Sequence, residues 1–199
     1  SKNPWVYVLK SRKLGITTII AAVNFWSALF TPNFCVLVLA HTDSAAKAIF
    51  KIYMRFYTNL PPFLKFQKKL LNKHELEFEH GGYIVAGTSG SESARGATFH
   101  ALHFSEFSQY ENIDAIIASA MSTAGKNPRV ALETTANGLN QAFNIWNGNN
   151  GYQKVFISWL DAEDARGKKK PEWIPKEVKN LQTKYKLTQE QVNWATDTY

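Results

Sequence analysis

Apolar runs alternate along the chain with segments of helical period, the pattern of an α/β domain built on a mainly parallel sheet. "WVYVL" (Trp5 to Leu9) predicts a first strand and "ITTIIAAVNFWSALF" (Ile16 to Phe30) a buried helix. "FCVLVLA" (Phe34 to Ala40) is a continuous apolar strand, and "HTDSAAKAIFKIYMRFYTNL" is a capped amphipathic helix stopped by Pro61 and Pro62. Two short strands follow, "ELEFE" and "YIVAGTS", separated by Gly81 and Gly82 in a hairpin-like arrangement. "ALHFSEF" (Ala101 to Phe107), "RVALETT" (Arg129 to Thr135) and "KVFISWL" (Lys154 to Leu160) predict further strands with helices between them. From Asp161 the chain turns polar and helical, with breaks at Pro171 and Pro175. The expected division is a core over 1–160 and a lid-like helical segment or linker over 161–199.

Composition narrows the class. With 199 residues, 45% of them hydrophobic, the chain can bury a sizeable core. Its apolar stretches are broken before the roughly 18 residues a membrane span needs, and no signal-peptide pattern opens it, so a soluble intracellular protein is expected. The lone Cys35 lies in an apolar run, which excludes a disulfide framework and a cysteine-metal site and predicts a buried thiol. The net charge of +7 points to a polyanionic partner such as nucleic acid. The clusters Lys65, Lys68, Lys69, Lys73 and Lys168, Lys169, Lys170 read as solvated faces.

Four features converge on phosphate chemistry. "KSRKLGITT" joins a strand to a helix, where backbone N–H groups favour an anion and Gly15 permits close approach. The usual GxxxxGK[ST] loop has its lysine where Ile16 stands, so Lys10 would have to reach the phosphates from the loop's start, with Thr17 as the magnesium ligand. "ALHFSEF" ends an apolar strand with Glu106, a base or water-positioning group, after Ser105, whose hydroxyl can hold a magnesium-bound water but carries no charge. "LETTANG" delivers Thr134 and Thr135 into a turn before a helix, where they could contact the γ-phosphate or attacking water. Arg95 lies in a Gly/Ser-rich loop and could stabilise a phosphoryl transition state. Each feature alone also fits a plainer role: a surface turn, an exposed strand end, helix caps.

In this order the four resemble the ATPase domain of the large terminase subunit of tailed bacteriophages, the motor that packages DNA into procapsids. The resemblance covers nearly the whole chain. It implies an α/β P-loop NTPase fold of the additional-strand catalytic-glutamate type, a mainly parallel central sheet flanked by helices. Its implied cofactors are ATP and Mg2+. Family loops often read like SRQxGKT, and "KSRKLGITT" is similar to a variant with the lysine moved to the loop's start. On this resemblance the nucleotide-binding loop comprises Lys10, Ser11, Arg12, Lys13, Leu14, Gly15, Ile16, Thr17 and Thr18. Lys10 and Arg12 contact phosphate, Thr17 and Ser105 serve the metal, and Glu106 is the catalytic carboxylate. Thr134, Thr135 and Ala136 form the coupling motif, and Arg95 is a candidate trans-acting arginine finger.

The implied partners are double-stranded DNA, a portal protein, a small terminase subunit and further copies in a ring, with no membrane. The implied place is the host cytoplasm, docked on the procapsid portal. "FISWLDAEDARG" and "LTQEQVNWA" resemble the lid and linker that precede a nuclease domain, itself expected to be absent. Adenine recognition in the family usually draws on residues upstream of the first strand, so an incomplete base-binding half is expected. The chain departs from the family at Lys13, where glutamine is usual, at Ile16 and at Ser105, where aspartate is common. Three rival readings remain. One is a helicase-like DNA-dependent ATPase, and another is a DNA-binding module with an inactive loop. The third is a nuclease on "HELEFEH", disfavoured because alternate strand residues about 7 Å apart do not converge on one ion.

Overall fold

The computed structural model describes residues 5–88, 96–162 and 165–198. In chain order the elements are β1 (Trp5–Lys10), α1 (Ile16–Phe30), β2 (Cys35–Ala40), α2 (Asp43–Asn59), β3 (Lys68–Leu71), β4 (Glu75–Phe78), β5 (Tyr83–Thr88), β6 (Phe99–Ser105), α3 (Ile113–Ser122), β7 (Ala124–Thr134), α4 (Gln141–Asn147), β8 (Gln153–Ile157), α5 (Lys176–Tyr185) and α6 (Gln189–Thr198). The sheet order is β3-β4-β5-β2-β6-β7-β1-β8. Strands β5, β2, β6, β7 and β1 run parallel, while β3 and β4 are added antiparallel at one side. β7 therefore stands between β1 and β6 as an additional strand, and the fold is the mainly parallel, helix-flanked P-loop type.

The apolar run of β2 follows from helices on both sides of the sheet. Val36, Val38 and Ala40 join one buried cluster with Ala21, Phe25 and Leu29 of α1 and Ile49, Phe50 and Tyr53 of α2. Leu37 and Leu39, alternating on the pleat, join the other with Tyr7, Leu102, Phe104, Val130 and Leu132, Ile113 of α3 and Ala142 of α4. α2 starts at Thr42, whose hydroxyl accepts from Ala45 N–H at 3.2 Å, and ends before Pro61. The turn between β4 and β5 presses against α1: a Cβ on Gly82 would lie 2.0 Å from the Ala28 carbonyl oxygen, so only glycine fits there.

Three local differences have physical causes. Lys68–Leu71 is an edge strand exposed at every residue, so its sequence lacks the apolar alternation that marks a strand, and its lysines suit an unpaired edge. β6 ends at Ser105, because Glu106 turns into the left-handed region at φ 49°. Cys35 is half-buried at the start of β2.

The chain forms two compact units, Ser1–Phe156 and Ile157–Tyr199. In the second, Val178, Leu187, Val192 and Ala195 form a small core, with Trp159 and Trp194 stacked at 5.0 Å beside it. Among the described residues no helix is long and apolar enough to cross a membrane.

Candidate nucleotide site

The site lies where the parallel strands end at their carboxyl edge, the place where open α/β sheets bind ligands. β1 stops at Lys10, and the loop of residues 11–15 turns back into α1 through two left-handed residues, Lys13 (φ 60°) and Gly15 (φ 72°). A Cβ on Gly15 would meet no atom within 4 Å, so the glycine answers a backbone requirement rather than a lack of room. α1 opens with no side-chain cap and no acidic residue in its first turn. The free N–H groups there, together with the helix dipole, favour an anion.

Strand register assembles the charges. Ser105 of β6 pairs with Glu133 of β7, and Glu133 pairs in turn with Val8 of β1. Glu133 is fully buried, and three groups converge on its Oε1: the Thr17 hydroxyl donates at 2.6 Å, the Ser105 hydroxyl at 2.8 Å, and His103 Nε2 lies at 3.3 Å. Its Oε2 has no hydrogen-bond partner, although the Lys10 ammonium stands 3.3 Å away. Burial opposes ionisation of Glu133. The His103 hydrogen bond and charge, the Lys10 ammonium and the Thr17 hydroxyl outweigh it and hold the carboxyl down at about 2.

Lys10 is 7% exposed, and its Nζ also donates to Glu106 Oε1 at 2.8 Å. Burial works against the ammonium, but the two carboxylates prevail and raise its pKa above the ordinary lysine value. Glu106 Oε2 accepts from the backbone N–H and the hydroxyl of Thr135, each at 3.2 Å. The left-handed turn at Glu106 thus aims its carboxylate back between β1 and β7.

The two threonines of "ETTANG" part company. Thr135 reaches Glu106, whereas Thr134 is buried against Ser108, with 2.6 Å between the hydroxyl oxygens. Asn137 and Asn140 both donate to the Ser108 carbonyl, at 3.1 and 3.0 Å, and Asn140 also caps α4. Thr134 therefore ties β7 to the turn after Glu106 and to the approach to α4.

An open cleft of about 490 Å³ runs along this edge, lined by Lys10, Arg12, Lys13, Thr17, His41, Glu106, Gln109 and Thr135. Five of the expected site residues (Lys10, Thr17, Ser105, Glu106 and Thr135) join one contact network. Arg12, Lys13 and Thr18 are exposed around it, and Ser11, Leu14 and Ile16 are half-buried. Arg95 lies outside the described residues. The acidic strand "ELEFE" engages elsewhere, Glu77 pairing with Lys69 at 2.7 Å and Glu75 accepting from Tyr83 at 2.9 Å.

Glu133 and His103 are the groups sequence reasoning passed over. The signal for Glu133 was a carboxylate inside a strand that is apolar around it, since a buried charge requires a partner. The partner itself depends on which strands become neighbours.

The sequence and the fold match known proteins. A family model described as "Terminase large subunit, T4likevirus-type, N-terminal" matches residues 7–195. The structure is similar to the large terminase of a thermophilic bacteriophage, with 12% identity and a TM-score of 0.63 over 95% of this chain and 47% of that one. It is also similar to the ATPase domain of a Thermus phage large terminase (11% identity, TM-score 0.57, covering 98% of this chain and 87% of that one). The HK97 bacteriophage large terminase matches with 17% identity and a TM-score of 0.61, over 97% of this chain and 42% of that one. At these identities the likeness is one of fold, and the chain spans about half the length of the two longer relatives. With the family model matching nearly the whole sequence, the chain belongs to the large terminase subunit family of tailed phages, in its T4likevirus-type N-terminal region.

Proposed function

We propose that this domain binds and hydrolyses ATP at the β1–α1 loop, as the motor that drives double-stranded DNA into a procapsid. The observation that carries the reading is the contact of Lys10 with Glu106, which unites the cation of the phosphate loop with the carboxylate after β6 beside an uncapped helix N-terminus. In this reading the α1 N–H groups, Arg12 and Lys13 receive the phosphates. Lys10 leaves its carboxylates for the β- and γ-phosphate oxygens, and Glu106, held by Thr135, orients the attacking water and takes up its proton. Thr17, with its hydroxyl at the cleft, would hold magnesium. When bound, that ion neutralises charge on the β- and γ-phosphates.

Thr134 and Thr135 link this site to the start of α4, a route by which loss of the γ-phosphate would reach DNA-gripping parts. Arg95 from a neighbouring copy in a ring, the portal protein and the small terminase subunit belong to the same proposal, as does a lid role for 161–199. The test is ATP hydrolysis with magnesium, with and without double-stranded DNA. Turnover raised by DNA is expected. Absence of both nucleotide binding and turnover would leave a DNA-binding module with an inactive loop.

A further inference from the structure

Ser105 is the last residue of β6, at the strand end where a P-loop NTPase places an acidic residue beside the hydroxyl of the phosphate loop, and serine has no charge to give. The charge is supplied from the next strand. Ser105 and Glu133 are register partners on β6 and β7, so their side chains leave the sheet on the same face. Glu133 Oε1 accepts from the Thr17 hydroxyl at 2.6 Å and from the Ser105 hydroxyl at 2.8 Å. We propose that Glu133 is the acidic anchor of the magnesium ion in the nucleotide complex, Ser105 serving as its positioning residue; this rests on the nucleotide-site reading above.

A further observation supports the assignment. Glu133 is 0% exposed, and its Oε2 is complemented by the Lys10 ammonium at 3.3 Å, so this buried carboxylate depends on a cation at that oxygen. In the proposed reaction Lys10 moves from this oxygen to the phosphates. Its departure would leave a buried carboxylate beside Thr17, the hydroxyl that would hold the metal. Magnesium dehydrates reluctantly and is usually held by one or two carboxylates together with substrate phosphates, so a single glutamate suffices.

The experiment is equilibrium binding of a non-hydrolysable ATP analogue with magnesium and with a chelator, and manganese binding followed by electron paramagnetic resonance. The wild-type chain should bind the analogue more tightly with metal, and Glu133→Gln should lose most of that tightening, read within each protein as the ratio of analogue affinity with metal to that with chelator, with manganese affinity down by roughly 10-fold or more. Ser105→Asp combined with Glu133→Ser places the charge on β6 and should restore the metal-dependent tightening. A folded Glu133→Gln that keeps the tightening overturns the proposal and makes Glu133 a purely structural partner of Lys10 and His103. Should Glu133→Gln fail to fold, the exchanged pair carries the test, and its failure to respond to metal overturns the proposal equally. A wild-type chain that binds no analogue in either condition overturns the nucleotide-site reading itself, a result separate from nucleotide binding that is indifferent to Glu133.

Discussion

Lys10 and Glu106 are joined by a 2.8 Å ion pair, and the same ammonium lies 3.3 Å from Glu133, so one buried cation balances carboxylates from the ends of two strands. The pair sits at the head of the phosphate loop, which makes the lysine both a structural counter-ion and the proposed phosphate ligand. These two roles have separable signatures.

Lys10→Met should abolish turnover and also lower stability, because it strands the buried charge of Glu133. Breaking a buried pair by removing one partner costs on the order of 3 kcal/mol. Thermal denaturation should show the loss without nucleotide present. A variant with wild-type melting and wild-type turnover would remove Lys10 from both roles and leave Lys13, at the rim of the cleft, as the phosphate lysine.

Glu106→Gln should keep nucleotide binding and lose hydrolysis by roughly 10²- to 10⁴-fold, the usual contribution of a positioned general base. The amide keeps the shape and one acceptor oxygen, enough for either Lys10 or Thr135 but not for both, so the loss of the base comes with one lost contact in the loop. Single-turnover hydrolysis beside nucleotide binding checks this; wild-type hydrolysis would exclude Glu106 as the base.

How far this site was legible in the sequence depends on the range of the interaction. α1 was readable to its ends, because an apolar strand, a glycine turn and an apolar helix are all local signals. β3 was not, since Lys68 to Leu71 are held by pairing with β4 rather than by burial. Lys10, Thr17 and Glu106 were identified from their positions at element ends. Glu133 was in plain view in "RVALETT", but its meaning lies in a register with Ser105 across 28 positions of chain. That neighbourhood is a product of strand order, which local pattern does not encode.

The depressed pKa of Glu133 predicts an acid limb in stability. Held at about 2 against the ordinary 4.5, the carboxylate contributes on the order of 3 kcal/mol, at about 1.4 kcal/mol per pH unit. The sign follows from the lowered folded value: the contribution is complete above about pH 4.5 and is lost as pH falls toward 2. Wild-type melting temperature should drop steeply across that window. Glu133→Gln should start lower at neutral pH and fall less, and parallel acid limbs for the two proteins would contradict the prediction.

Thr134 and Thr135 are adjacent, chemically identical and assigned by the structure to different work. Thr135 places its N–H and its hydroxyl 3.2 Å from Glu106 Oε2, holding the proposed base from the side opposite Lys10. Thr135→Val keeps the backbone contact and the shape but removes the hydroxyl, so turnover should fall about tenfold, a loss of ~1.4 kcal/mol in the barrier, with melting little changed. Thr134 instead sits 1% exposed against Ser108, within a cluster completed by Asn137 and Asn140. Thr134→Val takes the acceptor from the buried Ser108 N–H, which donates to the Thr134 hydroxyl at 3.3 Å, while the Ser108 hydroxyl keeps the Thr135 carbonyl at 3.2 Å; the orphaned N–H should cost roughly 1–3 kcal/mol of stability. If the coupling proposal holds, that variant should also lose the stimulation of ATP hydrolysis by DNA more than it loses basal turnover. Melting curves and hydrolysis with and without DNA separate the two variants. The assignment fails if Thr135→Val is the destabilised one, or if Thr134→Val melts like wild type and responds fully to DNA.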